Sequence, residues 1–133
     1  MRNIFTIPSL VIGVLCAPVQ AQDFSQLVST LRGAKLIAQD DENTYLGTFE
    51  SSYAANSMFN EYGTYGGKYS AKSIWNEFGT FGGQYSSFSP FNSFSSTPPM
   101  IIKGGRVIGY LTTNKYIKGA LNPNLLKAFS DQF

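Results

Sequence analysis

Two glutamates stand sixteen residues apart, Glu61 in "SMFNEYGTYGG" and Glu77 in "SIWNEFGTFGG", each directly after an asparagine. Brought together by folding, in environments that split their pKa values, such a pair could work as acid and base in a carboxylate-dependent hydrolase. That reading ranks last. Both glutamates belong to a repeated phrase, the equivalent position of an earlier copy is Tyr45, and nothing around them has the look of a dedicated site. A calcium site built from the Asn-Glu pairs fares no better, because the spacing matches no known loop and carboxylates are sparse.

Other chemistry is excluded by composition. The chain has no histidine, and its one cysteine is Cys16. Serine-histidine triads, thiol catalysis and the familiar zinc sites are therefore out of reach, and no metal or other cofactor is expected.

The unusual residues are aromatic, at 15% of the chain, with eight Tyr, eleven Phe and a single Trp. Such rings can stack on sugars or bury against other proteins. The candidate binding residues are Trp75, Tyr62, Tyr65, Tyr69, Phe78 and Tyr85. A small domain without disulfides must also build a core, and Phe59, Trp75, Tyr65 and Phe81 are expected to contribute mainly to that, leaving a smaller share for a ligand-facing platform.

These aromatics are arranged in a repeat. Ser57 to Lys72 and Ser73 to Phe88 share nine identities in sixteen positions, and most differences are swaps among aromatics or aliphatics. Gly47-Thr48, Gly63-Thr64 and Gly79-Thr80 keep the same register, as do Tyr53, Tyr69 and Tyr85, and a degenerate further copy, "SPFNSF", carries Asn92. The framework is therefore Asn60, Asn76, Asn92, Gly63 and Gly79, in a repeat region of about 44–97. Fixed period implies one supersecondary unit stacked on its copies. Tyr62, Tyr65 and Tyr69 have helical spacing, but Gly63, Gly66 and Gly67 would each cost a helix about 1 kcal/mol. Each unit is instead expected to be a serine-initiated turn, two apolar residues, an asparagine and a short extended piece bent at glycine. The asparagines would satisfy turn backbone, each other, or simply act as independent turn residues. A disordered tyrosine/glycine tract would need composition but not register.

The elements that must position this repeat lie on both sides of it. Arg2, the apolar run Ile4 to Ala17 and "PVQAQDF" have the three parts of a secretory leader, with cleavage after Ala21. The run is short for a membrane span and contains Pro8. A lipoprotein signal at Cys16 is disfavoured by Leu15, where a small residue is wanted. Residues 1–21 are thus read as a signal peptide and 22–133 as a single domain, periplasmic or secreted. Without the leader the charge is nearly balanced, seven Lys and two Arg against four Asp and four Glu, which argues against nucleic acid as the main partner.

Asp23 and Gln26 suggest a capping box for a helix to Arg32, closed by Gly33. "AKLIAQ", "DDEN" and "TYLGTFE" form a predicted β-hairpin, in which Gly47 marks a bulge or a close backbone approach. "PPMIIKGGRVIGYLTTN" forms a second, turning at Gly104-Gly105; a two-residue turn pairs Ile102 with Val107 and Ile101 with Ile108 and implies a hairpin covered on both faces. A glycine at the same step of each returning strand suggests that the hairpins neighbour one another. Asn122 and Pro123 start a terminal helix, and Phe133 is expected to pack on the core rather than to end a membrane barrel.

The string "SMFNEYGTYGGKYSAKSIWNEFGTFGGQYS", followed by a Pro-Pro step and "GYLTTNKY", resembles uncharacterised bacterial exported proteins with tandem N-x-[YF]-G-x-[YF]-G units of about 16 residues. The likeness spans roughly Lys35 to Ile117. It implies a bacterial origin and one recurrent module, and it carries over no activity. The expected fold is a small, β-rich α+β domain, with two hairpins flanking the stacked repeats and a short helix at each end. The expected role is non-enzymatic: a binding or envelope-associated module for cell-wall glycan or an envelope protein, with a self-associating scaffold as the alternative. No transmembrane segment is expected in the mature chain.

Overall fold

The computed structural model describes residues 16–133. The first fifteen residues, and with them most of the expected leader, lie outside the described residues. The chain divides into two units, Met1–Thr30 and Leu31–Phe133. The first contains nearly all of helix α1 (Cys16–Leu31). This helix starts at least seven residues before Asp23, so Asp23 cannot be its N-cap. Gly33, at φ +83°, closes the helix as its spacing suggested.

The second unit is an α+β domain built on a five-stranded mixed sheet, β1 (Lys35–Ile37), β2 (Tyr45–Thr48), β3 (Met100–Lys103), β4 (Arg106–Leu111) and β5 (Ala120–Leu121), in the order β2-β1-β3-β4-β5. The β1–β3 pairing sets the two antiparallel pairs side by side, and β5 joins β4 in parallel. Leu36, Leu46, Ile101 and Leu111 are completely buried. Burying each such side chain contributes about 1.5–3 kcal/mol, and the sheet is where these contributions concentrate. Helix α2 (Pro123–Ala128) has Asn122 as N-cap, its side chain accepting from the Asn124 N–H, and buries Leu126.

Two details of the β3–β4 pair differ from expectation. Ile102 does face Val107, but a bulge follows, and Ile101 faces Gly109 instead of Ile108. Val107 and Ile108 are consequently 46% and 42% exposed, so the pair is not covered on both faces near its turn. Beside the bulge, a Cβ on Gly109 would lie 3.0 Å from the Gly119 carbonyl oxygen, so β5 approaches β4 where glycine leaves room. Gly47 does the same in β2, at φ +113°, with the Tyr65 Cβ 2.8 Å from where its own would be.

Between β2 and β3 the chain runs from residue 51 to 97 as a succession of β-turns. Backbone N–H groups of residues 54, 57, 60, 63, 67, 70, 73, 76, 79, 83, 86, 89, 92 and 95 each donate to the carbonyl of the preceding corner, at 3.0–3.4 Å. Every step is three residues except Gly63 to Gly67 and Gly79 to Gly83, which are four. Sixteen residues are thus four short steps and one long one, and the expected extended piece is absent from each unit. Small residues occupy all the corners, because a corner backbone is shared by two turns and leaves little space. The long step imposes the severest demand: a Cβ on Gly66 would lie 2.1 Å from the Asn60 oxygen, and one on Gly82 2.2 Å from the Asn76 oxygen.

Candidate functional site

Corner side chains hold the turns from within. Oδ1 of Asn60, Asn76 and Asn92 accepts from the N–H two residues on, at Tyr62, Phe78 and Phe94. Their Nδ2 groups reach six residues back to the carbonyls of Ala54, Ser70 and Ser86, at 3.0–3.1 Å. Each amide therefore closes backbone of its own neighbourhood and does not pair with its repeats. Ser57, Ser73 and Ser89 make the shorter version, accepting from Phe59, Trp75 and Phe91.

Each serine turn points its first central residue into the core: Met58, Ile74 and Pro90 are all less than 2% exposed. Once that turn is committed inward, others in the unit must face out. Tyr62, Phe78 and Phe94 are 100%, 88% and 95% exposed, and Tyr53, Tyr69 and Tyr85 are 94%, 86% and 88% exposed. These are two series of three, each recurring every sixteen residues. A tyrosine or phenylalanine is ordinarily more than half covered, and six such side chains left in water form an unusual surface.

The residues singled out in the sequence thus separate. Tyr62, Tyr69, Phe78 and Tyr85 lie on the outward series. Tyr65 does not: it is half-buried, edge-on to Tyr45 with ring centres 4.8 Å apart. Trp75 is also half-buried, its indole N–H donating to the Met58 carbonyl at 2.6 Å, with Phe91 5.6 Å away and the Lys127 ammonium 4.5 Å over its ring. Phe59 is core, between Phe49 and Phe133, and the Phe133 ring stacks on it at 5.1 Å. Tyr53 and Phe94 were missed as surface residues, although the sixteen-residue register places them with Tyr69 and Phe78. Tyr116, 86% exposed, follows the turn residue Asn114 as Tyr62 follows Asn60.

Glu61 and Glu77 are both exposed and line separate concavities, of about 310 and 560 Å³. A third hollow, of about 510 Å³, lies beside the β1–β2 loop and includes Asp40, Tyr45, Lys72 and Phe81. Partial burial there works to raise the Asp40 carboxyl. Hydrogen bonds from the Thr44 hydroxyl (2.6 Å) and N–H (2.9 Å), with further backbone bonds from residues 40 and 42, outweigh it and hold the group below its ordinary value. Among the described residues no cluster of three His, Cys, Asp or Glu could hold a metal, and no helix is long and apolar enough to cross a membrane.

Comparison of the chain with protein-family models, with curated proteins and with solved structures finds no match.

Proposed function

We propose that this is an exported bacterial protein, without catalytic activity, in which the sixteen-residue units between two hairpins form one stacked module that binds a component of the cell envelope, a wall glycan or an envelope protein. The observation carrying the reading is the double series of aromatics, six side chains between 86% and 100% exposed at two fixed positions of the repeat. Covering each in a complex contributes up to about 1.5–3 kcal/mol before the costs of association. Rings bring this area with only two side-chain torsions to freeze. The fold supplies the rigidity, since every ring stands on a backbone-closed turn, and those of Tyr53, Tyr62, Phe78 and Phe94 are also bonded by a Ser or Asn side chain.

Purified residues 22–133 are expected to co-sediment with bacterial envelope fragments. Replacing Tyr62, Phe78 and Phe94 together by serine should weaken the association at least tenfold. Equal sedimentation of the two proteins would sink the reading. The same periodic surface also favours self-association, because identical series can pair between copies. Light scattering showing a strict monomer at all concentrations would remove that alternative.

A further inference from the structure

The geometry points to a second, single site: we propose that the cavity of about 560 Å³ beside Trp75 takes a neutral saccharide. This rests on the binding-module reading and specifies a ligand class for it. The volume lies within the range of small-ligand pockets, about 300–1,000 Å³. Three rings line it, Trp75, Phe91 and Tyr85. The indole is held on three sides of its chemistry, by its N–H bond to Met58, by Phe91 and by Lys127. A ring fixed in advance offers a platform for the C–H face of a pyranose without a new ordering cost.

The polar lining fits hydroxyl groups. Glu77, Gln84 and Asn124 face the same cavity, and among the described residues their side chains make no hydrogen bond to protein. Ser93 and Thr113 share one bond, at 2.9 Å between their hydroxyls, which leaves further donor and acceptor capacity. One carboxylate and no cationic side chain line the cavity, so its lining holds no partner for a phosphate, sulfate or uronate, while its amide and hydroxyl groups suit uncharged sugars. Lys127, the cation over the indole ring, does not line it.

The repeat does not make this site three times. One unit earlier, the place of Trp75 is taken by Phe59, which Phe49 and Phe133 cover to 2% exposure. The outward aromatics recur with the period, whereas this cavity needs Asn124 and Thr113 from outside the repeat. Binding here is therefore expected at one equivalent per chain.

The test is calorimetric titration of the whole mature chain with cellotetraose and with the tetramer of N-acetylglucosamine, and with tetragalacturonate as the anionic comparison. Tryptophan emission is followed in parallel; Trp75 is the chain's only tryptophan, so it reports this cavity. We expect one equivalent of a neutral tetramer, a change in emission, and at least about tenfold weaker binding in the double variant Gln84→Ala/Asn124→Ala, the loss of two hydrogen bonds. Both positions are exposed and unbonded through their side chains, so this variant folds; Val107→Thr serves as the unchanged control. Binding of neither neutral probe, preference for tetragalacturonate, or wild-type affinity in the double variant would overturn the site. Intact envelope sedimentation without any saccharide titration removes this site alone. A saccharide titration that persists while envelope sedimentation is absent upholds the site and removes the broader reading.

Discussion

The sheet and the turn succession solve the same problem by different means. In the sheet, strands distant in sequence satisfy one another's backbone, as Lys35–Ile37 do with Met100–Ile102, and apolar burial stabilises the pairing. In the succession, each backbone bond closes over three or four residues, and the Ser and Asn side chains add local bonds at the corners they occupy. The sheet therefore tolerates a range of apolar side chains and needs its partners. The succession tolerates almost any residue at an outward position and almost none at a corner. Surface chemistry is consequently free to be set by function only in the second region.

The largest effect should come from removing space inside a four-residue step. Gly82→Ala would place a Cβ 2.2 Å from the Asn76 oxygen and 2.6 Å from that of Ile74, contacts with backbone that no side-chain rotation relieves. A loss of about 3 kcal/mol or more in urea unfolding is expected. Gly104, at φ +60° with open space around it, marks the contrast, and alanine there should cost about 1–2 kcal/mol. If the two cost the same, crowding inside the long step is not what distinguishes the regions.

Next comes the amide clip. Asn76→Ala leaves the Ser70 carbonyl and the Phe78 N–H without their partner at a position only 9% exposed, and about 2 kcal/mol should be lost. A negligible change would mean that the backbone turns suffice alone.

A smaller effect belongs to the sheet side. The folded Asp40 carboxyl titrates below its ordinary value of 3.8, so its stabilisation is present above that value and is lost as pH falls through the lower, folded one. Asp40→Asn should lower neutral stability modestly, by the part the charged carboxylate supplies, and should flatten the acid limb of the stability curve below about pH 4. An acid limb identical in both proteins would show that the Thr44 bonds do not favour the charged form.

Smallest of all is the outward face. Phe78→Ser removes a ring that is 88% exposed, and stability should move by less than about 0.5 kcal/mol. A larger loss would show that this ring packs on the protein and would withdraw it from the binding surface.

Much of this was legible because local rules govern it. Gly104-Gly105, the Asn122-Pro123 helix start and the glycine step shared by β2 and β4 follow from backbone preferences that two or three residues express. The sixteen-residue register was equally visible. Its three-residue substructure was not read, although small residues mark every corner from Ser51 to Ser95, because the four-residue steps at Gly63 and Gly79 throw a three-residue count out of phase. Gly47-Thr48 misled in the opposite way: it shares the register with Gly63-Thr64 but lies in a strand, where pairing with β1 overrides the repeat. The bulge that turned Ile108 out is an irregularity of strand pairing, which the two-residue turn at Gly104-Gly105 does not announce.

By itself, then, the sequence determined where the chain must turn and which positions must stay small, since these are contacts among residues close along the chain. Which aromatic became core and which became surface was decided only in three dimensions. Phe59 and Trp75 hold the same place in the repeat, yet Phe133 covers the first and Lys127 leans on the second, leaving a cavity beside it. Burial is a relation with neighbours far along the chain, and identical units acquire different neighbours as soon as they pack against something that does not repeat.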